Sequence, residues 1–379
     1  MSHNMGKVAM LVTNACAPDP RVLRQARWLV EAGHEVTVHA FDRRQEHPPL
    51  DEVDGVTVVR HHLGQHTYGA SFATLRGLRQ FRQSALRACE ETTPDLVVCH
   101  DADTLPLARR LRKVGIATVF DMHDLRHTWA KIGAPNRLDR RLASRWLEQR
   151  TRQGLPHADL VVTTSGALSK GGHPGLQQQV EVWGRDAQVL ENRPNDGSFR
   201  SATPDDIWRV ACLGRVRDLA TVDLVIQAIS SMPEDQRPVL RWAGDGVAAE
   251  AARQRLAESG LEVEVEGAFA HDDLDRLHDG VDVAIALYDP RRGNIADGAL
   301  PVRMFEAAVR GVPSVVNADV LMGELASKEG FGAACAWNDA EALVAALHNA
   351  RSLAVPDGAG RMPEAMRAGW LEAIEGLLA

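Results

Sequence analysis

Aromatic residues make up only 5% of this chain, and its five cysteines, Cys16, Cys89, Cys99, Cys212 and Cys335, form no Cys-x-x-Cys pair. Their odd number and wide scatter argue against a disulfide framework and read as reduced thiols in a cytoplasmic protein. Apolar runs of 18 residues are absent, and near the amino end only Val8 to Val12 is apolar. Neither a membrane-spanning segment nor a secretory signal is therefore expected. Basic residues are not interleaved with aromatics, and no nucleic-acid motif occurs, so nucleic acid is not the expected partner. Also missing are a Ser nucleophile elbow, a Walker A sequence and a Gly-x-Gly-x-x-Gly turn after the first strand, where Asn14-Ala-Cys-Ala-Pro18 stands instead. Kinase-type and nicotinamide chemistry lose support accordingly.

What remains is an ordinary globular composition, 45% hydrophobic and 25% charged over 379 residues, enough for two domains of about 150 to 200 residues. The net charge of −8 is unevenly spread: residues 1 to 190 carry 25 Lys and Arg against 20 Asp and Glu, and residues 191 to 379 carry 18 against 31. A basic amino-terminal half suits an anionic contact, and it equally suits solvated helix faces.

Short apolar runs alternate with helical patterns along the whole chain, which is how a parallel sheet covered by helices reads in sequence. Strands are expected at Lys7–Thr13, Glu35–Phe41, Val56–Arg60, Asp95–Cys99, Ala117–Asp121, Leu160–Thr164 and Gln188–Glu191. Helices fall between them, among them Arg21–Ala32, Phe72–Glu91, Leu105–Val114 and Arg137–Gln153. Turn formers at Asn192-Arg-Pro-Asn-Asp-Gly-Ser198 break the pattern, and strands resume at Trp208–Leu213, Val239–Ala243, Val263–Glu266, Asp282–Ala286, Ser314–Val316 and Ala333–Ala336. The expected fold class is α/β, with Rossmann-like doubly wound domains over residues 1–195 and 196–361 facing a deep cleft. Residues 362–379 would form a helix crossing back to the first domain.

Within Leu300 to Val316 a single carboxylate, Glu306, sits among Met304, Phe305, Ala307, Ala308 and Val309 on a helix that Gly311 ends and Pro313 keeps from restarting. A carboxylate in such surroundings requires a partner, and Arg303, Arg310 or a ligand hydroxyl could each supply it.

Several motifs around it stand in a shared order. They are Asp19-Pro-Arg21-Val22 with Gly33-His-Glu-Val36, Asp121-Met-His123-Asp124, Leu190-Glu-Asn-Arg-Pro-Asn-Asp196, Leu213-Gly214-Arg215, Ala243-Gly244-Asp-Gly246, Gly267-x-x-x-His271 and Pro301-x-Arg303-x-x-Glu306. In this order the chain resembles the family 4-like retaining glycosyltransferases of the GT-B fold over nearly its full length. Two departures are visible: the family's Glu-x7-Glu would need a Glu where Gly298 stands, and no Lys occurs in Val216 to Asp223. A subgroup with an Asn, a Pro and a Lys before the second Glu is matched by Asn294, Pro301 and Arg303.

The resemblance implies a nucleotide diphosphate sugar donor, with UDP expected and GDP or dTDP as alternatives, and transfer that needs no metal or other cofactor. Arg215 and Arg217 would neutralise the diphosphate, since guanidinium groups bind such charge bidentately; solvated loop arginines are the plain alternative. The amino end of the Val302–Arg310 helix would assist, Glu306 would meet the ribose hydroxyls, and backbone near Gly214, Gly244, Gly267 and Phe269 would complete the donor site with Asn294 and Arg303. His123 would face the reacting carbon. Asp19, Arg21, Asp121, Asp124 and a loop bearing His66 and Tyr68 would meet the acceptor, a natural-product or thiol-type small molecule or a lipid-linked one. His123 and His127 have the spacing of a zinc helix, but an Asp stands where a zincin has Glu and no third ligand is evident.

Three further expectations remain open on sequence. The arginine-rich helix Arg137–Arg152 could dock on an anionic membrane, or bury Leu138, Leu142, Trp146 and Leu147 as ordinary core. The assembly would be a monomer or homodimer. A nucleotide-sugar 2-epimerase and an inactive nucleotide-sugar-binding partner protein share the architecture and stand as alternatives.

Overall fold

The structure of the chain is a computed structural model, in which residues 5–65, 72–132, 134–195, 197–198 and 207–379 are described. Strands β1 (Lys7–Val12), β2 (Glu35–Ala40), β3 (Leu50–Val53), β4 (Val56–Arg60), β5 (Leu96–His100), β6 (Ala117–Met122), β7 (Leu160–Thr163) and β8 (Gln188–Val189) form a first sheet. Its order is β3-β4-β2-β1-β5-β6-β7-β8. All neighbours are parallel except β3 and β4. A second sheet holds β9 (Arg209–Leu213), β10 (Val239–Ala243), β11 (Val263–Glu266), β12 (Val283–Ala286), β13 (Ser314–Asn317) and β14 (Gly332–Cys335). It is wholly parallel, in the order β11-β10-β9-β12-β13-β14. In both sheets the chain winds outward in two directions from a central strand, β1 in the first and β9 in the second, which opens a crevice at the strands' carboxyl ends.

Helices α1 (Pro20–Glu31), α2 (Phe72–Thr92), α3 (Asp101–Thr104), α4 (Ala108–Lys113), α5 (Leu138–Gly154) and α6 (Leu176–Val182) accompany the first sheet. The second is accompanied by α7 (Ala220–Ser230), α8 (Ala249–Glu258), α9 (Leu274–Leu277), α10 (Val302–Ala308), α11 (Leu321–Lys328) and α12 (Ala340–Arg351), before α13 (Glu364–Leu378) ends the chain. Val8 to Val12 are buried throughout, as a strand covered on both faces must be. Helix α13 lies against the first sheet's core: Trp370 and Ile374 are fully buried there, Trp28 and Trp370 meet at 5.8 Å, and His34 Nε2 lies 3.1 Å from Glu375.

Three elements differ from the sequence expectation for identifiable reasons. The edge strand β3 reads Leu-Asp-Glu-Val, whose charges mask a strand that only its pairing with β4 defines. Pro106 divides the expected Leu105–Val114 helix into a 3-10 turn, Leu105–Leu107, and α4. Helix α5 forms, with Leu147 half-buried and Ser144 and Thr151 buried, yet Leu138, Leu142 and Trp146 are exposed, so the core reading fails for these three positions.

Candidate active site

The carboxyl ends of β5 and β6 bring together side chains that lie far apart in sequence. Asp121, at the end of β6 and fully buried, accepts from Arg21 Nε at 2.9 Å and Nη2 at 2.6 Å, and from Gln25 Nε2 at 2.7 Å. His100 Nδ1 and His123 Nε2 each lie 3.3 Å from Asp121 Oδ2 and 3.1 Å from one another. On its other side His123 Nδ1 is 3.5 Å from Asp101 Oδ2, and the His123 backbone N–H donates to Asp101 Oδ1 at 3.2 Å. Asp101 takes a left-handed φ of 63° to reach this position, a conformation Asp tolerates better than most residues.

Electrostatics follow from that arrangement. Burial opposes charge on His123, but Asp101 and Asp121 flank the ring and outweigh it, raising its pKa to about 9. Burial likewise opposes charge on Asp121, yet Arg21 and His123 hold its carboxyl well below the usual carboxylate range. His100 moves the other way, pushed down by burial, and its Nε2 is buried without a hydrogen-bond partner. His123 is thus an imidazolium whose two ring nitrogens are both engaged. It carries positive charge rather than serving as a free proton acceptor.

The ligand atoms of His100, Asp121 and His123 lie within 4.8 Å of one another, close enough to hold a metal. The donor set fits one poorly, because a guanidinium occupies both Asp121 oxygens and Gln25 adds a third donor. Hydrogen bonding accounts for the cluster.

The second domain contributes a cavity of about 230 Å³ at the crevice beside β9, lined by the turn Gly214–Asp218, by Leu287–Asp289 after β12, by Arg303 on α10, and by Lys131 and Ile132 from the first domain. Arg303 reaches Cys212 Sγ at 3.8 Å and the Arg215 carbonyl at 3.3 Å, with its guanidinium 5.2 Å from the Tyr288 ring centre. Arg217 lies 4.8 Å over the Trp129 ring. Neither arginine has a carboxylate partner among the described residues, whereas Arg291 is bound by Asp289 at 2.6 Å and Arg215 reaches Asp245 only at 3.4 Å. A small cavity holding unneutralised guanidinium groups suits an anion.

Other site expectations need correction. Arg21 and Asp121 do not face an acceptor; they are buried on each other. Asp19 caps α1 through the Val22 N–H and accepts from Asn14. Asp124 accepts from Trp129 Nε1 at 2.7 Å. Asn294 accepts from the Leu125 N–H at 3.1 Å and so joins the domains. Gly244 packs beneath the Gly214 carbonyl, where a side chain has no room, while Gly267 and Phe269 follow β11 and do not line the cavity. Glu306 is likewise absent from the lining, since its carboxylate accepts from Arg310 Nη1 at 2.7 Å, and Arg310 also reaches Asp275 at 2.7 Å. His66 and Tyr68 lie outside the described residues.

Of the expected residues, Gly214, Arg215, Arg217 and Arg303 meet around one cavity, whose lining does not include His123. Sequence reading missed His100, Asp101, Gln25, Lys131, Tyr288 and Asp289. A polar pair ending an apolar strand, His100-Asp101, was the available signal. Nothing local marked Lys131 or Tyr288.

Two doubly wound domains facing across a crevice, with an anion-suited cavity beside β9, define a two-domain α/β architecture of GT-B type. Residues 17–170 match the family described as glycosyl transferase 4-like domain, and residues 208–351 match glycosyl transferases group 1. The chain belongs to the family 4-like glycosyltransferases of the GT-B fold. Sucrose-phosphate synthase from Thermosynechococcus elongatus shares the fold at a TM-score of 0.75 and 16% identity, over 98% of this chain and 99% of that one. HepE from Anabaena, solved with UDP and glucose, gives 0.67 and 14%, over 98% and 100%. No curated protein matches in sequence. Among the described residues no helix is long and apolar enough to cross a membrane.

Proposed function

We propose that this glycosyltransferase moves a sugar from UDP, with retention at the anomeric carbon and without a metal ion, onto a small-molecule acceptor. The observation that carries the donor half is the pair Arg217 and Arg303, two guanidinium groups without carboxylate partners bordering one cavity among the described residues. A nucleoside diphosphate supplies the missing negative charge, and departure of that diphosphate is when the charge is most needed. HepE was solved with UDP and glucose, which supports the choice of nucleotide.

In this reading the bond from the anomeric carbon to the diphosphate breaks, and the bonding electrons leave with the phosphate. The acceptor oxygen or sulfur bonds on the same face, and its proton passes to the departing phosphate oxygen. Lys131, Arg217 and Arg303 stabilise the leaving group. The His123 imidazolium, fixed between Asp101 and Asp121, adds positive charge near the reacting centre, and closure along the Trp129–Arg217 contact excludes water.

Thermal shift with UDP, GDP, dTDP and ADP, followed by mass spectrometry of products with candidate acceptors, tests this. Binding to the folded state raises apparent stability by mass action, so UDP should give the largest shift. A larger shift with another nucleotide overturns the donor assignment, and isomerisation of UDP-N-acetylglucosamine without acceptor would identify an epimerase instead.

A further inference from the structure

Helix α5 turns three large apolar side chains outward and only one, the half-buried Leu147, inward. It buries two polar residues, Ser144 and Thr151, while Leu138, Leu142 and Trp146 are exposed to 71%, 55% and 58%. A helix that packs on a core turns its apolar stripe inward. These three residues recur at every fourth position, so they form one continuous strip roughly 12 Å long at 1.5 Å of rise per residue. Clustered exposed apolar side chains of this size mark a contact surface.

The charges beside the strip identify what it contacts. Helical spacing sets Arg141, Arg145 and Arg152 along one flank, all exposed and in no ion pair among the described residues. Arg150 lies over the Trp146 ring at 5.6 Å. The helix's acids are already occupied: Asp139 holds Arg137 at 3.0 Å, and Glu148 accepts from Trp183 at 3.2 Å. A second copy of this helix would set arginine against arginine across the strip. An apolar row edged with unneutralised arginines complements instead a surface that is apolar within and anionic at its face. We infer that α5 docks in the plane of an anionic lipid bilayer, with Leu138, Leu142 and Trp146 entering the acyl boundary and the arginines meeting headgroup phosphates.

Helix α5 begins three residues after Pro135, which lines the Arg217–Arg303 cavity, so a docked helix holds the cleft at the bilayer surface. The inference does not depend on the nature of the donor, because its test reads partition rather than turnover.

Co-sedimentation of the full chain with phosphatidylglycerol-containing vesicles, against pure phosphatidylcholine, is the experiment. Binding is expected with anionic vesicles only, weakened at high salt as screening predicts. The variants Leu142→Ser/Trp146→Ser and Arg141→Glu/Arg145→Glu should each lower partition by about tenfold or more. All four side chains are exposed, so unchanged thermal unfolding of the variants checks that the fold is intact. Failure of the parent chain to bind anionic vesicles at about 0.1 M salt overturns the proposal. So does binding that the serine variant leaves unchanged, and so does a dimer in sedimentation velocity that the serine variant dissolves without any vesicle binding.

Discussion

Arg21 and Asp121, a hundred residues apart, form a two-point ion pair at 2.6 and 2.9 Å with side chains exposed to 2% and 0%. This pair fastens α1 to the end of β6 and fixes the carboxylate against which His123 rests. Removing one partner leaves the other charge buried, which costs about 3–5 kcal/mol. Arg21→Ala should therefore lower stability by that order in urea titration, and Arg21→Lys should recover only part of it because a lysine cannot fill both contacts. A change under about 1 kcal/mol would show that the pair is not what holds this corner.

The His123 ring carries its own pH signature. Its folded pKa of about 9 exceeds the ordinary 6.5, so its stabilisation is complete below pH 6.5 and is lost as pH rises through about 9. Urea midpoints measured across that window should fall by a few kcal/mol equivalent at most, and His123→Gln should flatten the profile. A parent profile already flat over this range contradicts the imidazolium assignment.

Arg303 and Glu306 are three residues apart but do different work. Arg303→Ala should weaken UDP binding by about tenfold to a hundredfold, as loss of a charged hydrogen bond does. Glu306→Ala removes the carboxylate that Arg310 holds, so its main effect should be lower thermal stability, with UDP affinity altered less than by Arg303→Ala. Calorimetry that ranks the two affinities in the opposite order would return Glu306 to the donor site.

Gly298 stands where the family motif has a Glu, at φ 96° and with the Pro174 carbonyl and Gly175 Cα of the first domain pressed against it. Gly298→Glu should not restore a sugar contact. It should destabilise the chain by about 2 kcal/mol or more, through a strained backbone and a displaced domain contact. A variant as stable as the parent refutes this account.

Chelation offers the simplest check on the His100–Asp121–His123 cluster. Turnover should persist in EDTA, since Arg21 and Gln25 already occupy the carboxylate. Loss of turnover restored by added zinc would assign a metal there.

The central strands were legible because their signals are local. β1, β5 and β6 are buried on both faces, so a continuous apolar run is both their signature and their cause. Most of the site was not legible, because its partners meet only through topology: His100 ends β5 and His123 follows the neighbouring β6, and Lys131 and Tyr288 come from different domains.

Glu306 shows where a sequence stops. Local pattern determined that a carboxylate would lie in apolar surroundings on a helix, and that Arg303 and Arg310 were both within one turn of it. Only the tertiary structure decided between them, since Arg303 is drawn away to the Tyr288 ring and the Arg215 carbonyl while Arg310 stays beside Asp275. For α5 the same division holds: the spacing of Leu138, Leu142 and Trp146 determined a helix with one apolar side, and among the described residues no element covers that side. Periodicity encodes which side chains share a face; what lies opposite that face is set by the rest of the chain.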